Sequence, residues 1–315
     1  MFICVSLNPA IDKRVEIAAL IRGHVIRARA ARNLPGGKST HVAMVLRTLG
    51  ELPQWVGPCG GPTGAGLIAG LSALGIDAYP CLTEQHTRTN FEVIEDDGTV
   101  TEILEPGSAP SSAEFAELEK TCGHLFGKSK DTSVIFSGSL PGGAPPGTYA
   151  LLLALAHKSD CRTFLDVSGE PLRIALGTRP HFVKPNREEA AELLGGKIDS
   201  LSSAIAGIKK LIGLGARSAA ISMGSEGLLY CPGESSSILF APGISLQPKS
   251  TVGCGDAAMA GFARAIASNS SPDEALRLAA ACASANCLAA SPGAAKLDDI
   301  QKALSHVQVQ AIPYT

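Results

Sequence analysis

Short apolar runs alternate with amphipathic segments along most of the chain. FICVSL at the start reads as a strand, and the spacing behind it predicts a helix at about Ser39 to Leu49. QWVGPCG and GIDAYPCL are strand-like and flank a helix predicted at about Gly64 to Leu74. SVIFSGSLP, RTFLDVSG, HFVKPN and SAAISMG follow as short apolar strands, each ending in a polar or glycine-containing turn. Strand–helix alternation of this kind builds a mostly parallel sheet with helices on both faces. Ser137, Gly138, Asp166, Ser168, Lys184, Asn186, Ser222 and Gly224 all fall at the carboxyl ends of these strands, the rim where open α/β sheets bind ligands.

Two segments break the pattern. Asp12 to Asn33 and Arg88 to Gly107 read as β-structure, the second as a hairpin around Asp96, Asp97 and Gly98. Together they predict a small separate sheet, built from about residues 12–33 and 88–106, that projects from the body. Beside a ligand rim such a sheet suits a lid, and an exposed apolar face on it suits a homodimer contact.

Composition adjusts this picture in few places. The 315 residues suit a single large domain (1–315), and 34 glycines with only 4% aromatics fit an α/β protein full of tight turns. A net charge of −2 gives no electrostatic case for nucleic acid or for an anionic membrane as partner. The nine cysteines form no C-x-x-C pair and no zinc spacing, which points to reduced thiols in a cytoplasmic protein, most of them small buried hydrophobes. MFICVSL lacks the charged leader of a secretory signal, and ALRLAAACASANCLAA reads as a buried helix rather than a membrane span.

The chemistry concentrates in two loops. NLPGGKSTHVA carries the last three letters of a nucleotide-binding phosphate loop, but Arg32 stands where its first glycine belongs and the approach is polar and basic. What remains is a Gly-Gly step, a lysine and a helix start, an anion site of weaker kind. In STVGCGDAAMAGFARAIA, Gly253 and Gly255 open a tight turn and Asp256 begins a helix. Backbone N–H groups there face an anion beside a carboxylate; the plainer reading is an N-cap and a turn. GAGLIAG, Gly64 to Gly70, fits a dinucleotide fingerprint by spacing only and reads as a small-residue helix packed on the sheet.

SLNPAID, PGGK, TRTN, EPG, SGSLPGG, LDVSGEPL, KPNREE and STVGCGD occur in this order. Together they resemble the PfkB or ribokinase-like sugar kinases, in the branch that holds 1-phosphofructokinases and tagatose-6-phosphate kinases, over roughly Phe2 to Gly293. The resemblance implies a ribokinase-like three-layer α/β/α body with a mostly parallel central sheet and a small β-sheet lid. It implies transfer of a phosphoryl group from ATP, with Mg2+, to a hydroxyl of a phosphorylated ketohexose of the fructose 1-phosphate, fructose 6-phosphate or tagatose 6-phosphate type. A kinase of another sugar or nucleoside, or a non-catalytic sugar-phosphate sensor on the same fold, are the alternatives.

Matched residue by residue, the resemblance makes Asp256 the catalytic base and the N–H groups of Gly253, Cys254 and Gly255 the anion hole. Asp12, Gly36, Gly37, Lys38, His41, Arg88 and Ser137 fall to the sugar phosphate, with Arg27 a looser candidate. Lys184, Asn186, Ser222, Gly224, Gly227 and Thr251 fall to the nucleotide, and Asn186 with Glu189 to magnesium through its waters. One departure stands out. The family's GGKGxNxA is here GGKSTHVA: Ser39 replaces a glycine, which would narrow the approach to the backbone, and His41 replaces a substrate-binding asparagine. Machinery is retained; substrate choice is where the change falls.

Overall fold

The computed structural model describes residues 1–234 and 237–313. Strands β1 (Phe2–Val5), β4 (Gln54–Gly60), β5 (Asp77–Thr83), β8 (Ser133–Ser137), β9 (Arg162–Asp166), β10 (Phe182–Val183) and β11 (Ala219–Ser222) form the parallel part of the main sheet. β12 (Gly227–Cys231), β13 (Ile238–Pro242) and β14 (Gln310–Ile312) extend it antiparallel, giving the order β14-β13-β12-β11-β10-β9-β8-β1-β4-β5. β2 (Ala10–Glu16), β3 (Ala30–Gly36), β6 (Arg88–Ile94) and β7 (Val100–Leu104) make a separate sheet in the order β3-β2-β6-β7.

The strands of the main sheet are apolar on both faces, as a sheet covered by helices requires. Phe2 and Cys4 of β1 point into one core while Ile3 and Val5 point into the other, and Phe182 and Val183 of β10 divide the same way. The first core is closed by α1 (Lys38–Thr48), α2 (Gly61–Ala73) and, later in the chain, α8 (Cys254–Ala267), α9 (Pro272–Cys287) and α10 (Leu297–Leu304). The second is closed by α3 (Ser112–Phe126), α4 (Thr148–Lys158), α5 (Gly169–Leu176), α6 (Arg187–Leu194) and α7 (Leu201–Gly213). The result is the expected three-layer α/β/α body. α9, the alanine-rich segment, is buried along one side against α8, and no described helix is long and apolar enough to cross a membrane.

The chain leaves β1 in both directions across the sheet, to β4 on one side and β8 on the other. Crevices at such reversals are where ligands enter. Here the crevice is held by Ser39 at the start of α1: its hydroxyl lies 2.5 Å from the Val5 carbonyl and 2.9 Å from the Ser137 carbonyl, so it ties the ends of β1 and β8 together.

The small sheet differs from the sequence expectation in one respect. Only the ends of the Asp12–Asn33 segment are strands; residues 17–29 lie outside any strand, with Gly23 at φ 81°. β2 and β3 pair from Ala10 with Gly36 to Glu16 with Ala30, so the ladder closes at its base and opens at its tip. The Arg88–Gly107 segment forms the expected hairpin.

Candidate active site

A single cavity of about 850 Å³ runs along the carboxyl ends of the strands, beneath the small sheet. Its volume lies in the range of sites that enclose drug-sized ligands. Asp12, Gly37, Lys38, His41, Arg88, Ser137, Lys184, Asn186, Glu189, Ser222, Gly224, Gly227, Thr251, Gly253, Cys254, Gly255 and Asp256 all line it. Gly36 supports it from behind: a Cβ there would lie 2.2 Å from Asp12 Cγ, so only glycine leaves room for that carboxylate. Arg27 is exposed and stands outside the cavity.

At the lid end the centre is His41, on the first turn of α1. Its Nε2 lies 2.9 Å from Asp12 Oδ2 and its Nδ1 2.9 Å from Asp256 Oδ2. Asp12 Oδ1 accepts a hydrogen bond from Asn90 Nδ2 (2.9 Å), on the neighbouring lid strand β6. A neutral imidazole has one N–H and cannot donate to two carboxylates, so the bridge requires an imidazolium. Burial opposes that charge, but the hydrogen bonds to Asp12 and Asp256 outweigh it and raise the His41 pKa to about 10. Burial likewise pushes the Asp12 carboxyl up, and His41, Asn90 and Arg88 together hold it below the usual carboxylate range. The second oxygen of Asp256, Oδ1, has no hydrogen-bond partner among the described residues.

Asp256 is placed by the turn before it. Gly253 caps α8 at φ 76°, a left-handed conformation that favours glycine, and a Cβ there would lie 2.8 Å from Pro292 Cβ. Asn286 of α9 pins this turn, donating to the Val252 carbonyl and accepting from the Gly293 amide, each at 2.9 Å. Among the described residues, the amides of Gly253 and Gly255 find no acceptor, and that of Cys254 makes only a long 3.3 Å contact with the Thr251 carbonyl. Unpaired amides at the start of a 14-residue helix form a positive cradle beside the carboxylate.

The other end of the cavity is a charge cluster. Lys184 Nζ sits 3.2 Å from Asp166 Oδ2; Lys38 Nζ sits 3.9 Å from Asp166 Oδ1 and 3.4 Å from Glu189 Oε1. Asp166 is the strongest influence keeping the Lys38 ammonium charged against burial. Burial raises the Asp166 carboxyl, and Lys184 with Lys38 more than reverses this. Asn186 and Glu189 form a reciprocal capping box on α6, Asn186 Oδ1 accepting from the Glu189 amide and Glu189 Oε2 from the Asn186 amide, each at 2.8 Å. KPNREE therefore starts α6 with a capping box, and the same two residues also face the cavity. Ser222, Gly224 and Gly227 likewise form a strand–turn–strand that borders it.

Three sequence readings are changed or completed. Ser39 is fully buried and turns towards β1 and β8, so it does not crowd the ligand side of the glycine step. Lys38 reaches Glu189 and Asp166, the end assigned to the metal, rather than marking the sugar end alone. GAGLIAG lies inside α2, which follows β4 directly, but its Gly70 abuts Pro35 of β3 as a small-residue packing face and none of its residues lines the cavity. Asn90 and Asn286 were not singled out from the sequence, and Asp166 was named at the rim without a role. Asp166 carried a signal, its place at a strand end; Asn90 lay within the quoted TRTN, and Asn286 in an alanine-rich helix carried none.

The family model described as "pfkB family carbohydrate kinase" matches residues 5–299. The 1-phosphofructokinase of Rhodobacter capsulatus is 34% identical over 279 residues, covering 88% of this chain and 87% of that protein. The 1-phosphofructokinase of Borreliella burgdorferi is 29% identical over 313 residues, 99% of each chain. Among solved structures, phosphofructokinase-2 from Escherichia coli in complex with substrates and products superposes with a TM-score of 0.89 at 26% identity, covering 97% of this chain and 98% of that one. On this sequence match and this geometry, the chain belongs to the PfkB family of carbohydrate kinases, phosphotransferases that act on an alcohol group.

Proposed function

We propose that this protein transfers the γ-phosphoryl group of ATP to a hydroxyl of a phosphorylated ketohexose, with Asp256 as general base. One observation carries the reading: Asp256 lies between the His41–Asp12 pair at the lid and the Lys184, Asn186 and Glu189 cluster, in one continuous cavity. The acceptor hydroxyl meets Asp256 Oδ1, which takes its proton as the new P–O bond forms; Oδ2 stays held by His41. Asp12 holds a neighbouring hydroxyl, and the amides of Gly253 to Gly255 face the equatorial oxygens of the transferring group.

Magnesium fits the opposite end. Asp166 lines the cavity with its oxygens met only by the ammonium groups of Lys184 and Lys38, while Asn186 Oδ1 and both Glu189 oxygens are already engaged, which suits contact through the ion's waters. When bound, the ion supplies positive charge against the phosphates. Lys184 and Lys38 hold Asp166 and Glu189 in place and add charge of their own.

For the substrate phosphate the supporting feature is Arg88. Its Nη1 donates to the Glu105 carbonyl at 2.7 Å, while its buried Nε has no partner and the residue lines the cavity under the lid. The test is ADP release over fructose 1-phosphate, fructose 6-phosphate, tagatose 6-phosphate and their unphosphorylated parents. Turnover is expected with at least one phosphorylated ketohexose. Arg88→Ala should raise its KM about 10- to 100-fold, the value of a hydrogen bond to a charged group. Turnover indifferent to the substrate phosphate would instead favour another sugar or a nucleoside, and ligand-induced stabilisation without turnover would favour a sensor.

We also infer that two copies pair through the lid, in a reducing cytoplasm that suits nine unpaired cysteines. Val25 is 89% exposed and Ile103 58% exposed on the small sheet and its tip, apolar surface that a second lid would cover. Light scattering at micromolar concentration should give a dimer that Ile103→Asp shifts to monomer. A monomeric parent protein overturns the pairing.

A further inference from the structure

Seven of the nine cysteines are buried; Cys254 and Cys287 alone are partly exposed, and they touch each other. Their sulfurs lie 2.9 Å apart, and both residues line the cavity, next to Ser284 and Ala283 of α9. Cys254 is the first residue of α8 and its amide belongs to the anion cradle; Cys287 is the last residue of α9. The loop between the sheet and the cradle lies across this helix end, with the Lys249 amide donating to the Cys287 carbonyl at 2.8 Å and the Ser250 amide at 3.4 Å. Asn286 ties the same loop to α9 and also lies 3.6 Å from Cys254 Sγ.

We propose that Cys254 and Cys287 form an oxidation site, taking a hydroperoxide as oxidant and closing to a disulfide that disables the anion cradle. In a sulfur–sulfur contact of this kind one thiol donates to the other sulfur, which stabilises a thiolate there once it has lost its own proton. The cavity gives a small oxidant access to these two sulfurs and not to the buried seven. The thiolate attacks the terminal oxygen of the hydroperoxide, breaking its O–O bond to form a sulfenic acid and release an alkoxide, or hydroxide when the oxidant is hydrogen peroxide. The second thiol then attacks that sulfur, forming the S–S bond and releasing water. Two successive thiol–disulfide exchanges with a dithiol reductant restore both thiols.

The effect on the site follows from what the bond joins. A disulfide brings sulfurs to about 2.05 Å, so the first residue of α8 must move towards α9. The Cys254 amide and, two residues on, Asp256 move with it. Misplacement of about 1 Å costs about 10²-fold in rate where catalysis rests on alignment.

The consequence for turnover rests on the kinase reading; the chemistry of the pair does not. Reduced protein is treated with hydrogen peroxide, free thiols are counted after denaturation, and peptides are mapped by mass spectrometry. The expected result is loss of two thiols, a linked peptide pair containing Cys254 and Cys287, and at least a tenfold fall in ADP release that dithiothreitol reverses. Cys287→Ser should start with parental turnover and keep it in peroxide; Cys287→Ala serves if the serine variant melts early. Retention of all thiols, a link between other cysteines, or equal inactivation of the Cys287 variants overturns the proposal. Asp256→Asn separates the two readings, because an inactive protein that still links Cys254 to Cys287 leaves this site standing.

Discussion

Replacing Asp256 with asparagine is expected to lower kcat by about 10²–10⁴, the range a positioned general base supplies. KM for both substrates should move little. The carboxamide is nearly the same size, so the turn set by Gly253 and pinned by Asn286 keeps its shape. What disappears is the proton acceptor at Oδ1, used as the hydroxyl oxygen attacks phosphorus and not before. An interaction confined to the transition state lowers kcat and kcat/KM together. The amide cradle remains, and removing a single such donor elsewhere typically costs about 10²–10³, so residual turnover above background is expected from it. ADP release with saturating ATP, at several sugar phosphate concentrations, reads the two parameters separately. A variant with more than a tenth of parental kcat would remove Asp256 from the role of base.

Much of this arrangement was legible before any coordinates, for physical reasons. Strands buried on both faces leave continuous apolar runs, and their polar ends mark the rim directly; Ser137, Lys184 and Ser222 are placed by that rule alone. β10 contributes only Phe182 and Val183, yet its apolar pair followed by Lys184 and Pro185 was enough. β13 and β14 escaped notice because short edge strands gain their order from partners far along the chain, Ile238 against Ile312. Side-chain direction was harder still. Ser39 and His41 both lie in the first turn of α1, two residues apart, yet one faces the sheet and the other the cavity. Which of them altered the site was decided by rotation about the helix axis, not by the letters. Asp166 acquires its role only when Lys184 and Lys38 arrive from two other elements, a meeting no local pattern encodes.

His41→Asn, which restores the family's usual residue, is expected to lower kcat rather than raise it. Asparagine is too short to donate to Asp12 and Asp256 at once, across a gap that an imidazole fills with two 2.9 Å contacts. Two carboxylates then share a buried space without the cation between them, and Asp256 loses the bond that fixes its orientation. A fall of about 10- to 100-fold is expected, the scale of a misaligned base. The pH dependence identifies the cause. The groups around the ring are Asp12 of β2, Asp256 of α8, and more distantly Glu92 and Glu102 of the lid, with Arg88 and Lys38 beside the two aspartates. The His41 pKa is raised in the folded protein, to about 10 from a model-compound value of 6.5. Its contribution to stability is therefore complete below about pH 6.5, where the unfolded chain is also protonated, and is lost as pH rises through about 10. Parental kcat/KM should fall along an alkaline limb near pH 10, and its melting temperature should drop over the same range by more than that of His41→Asn. Absence of the limb in the parent protein, or an identical limb in His41→Asn, would assign the ring to packing and leave the two carboxylates to be balanced by Arg88 and Lys38.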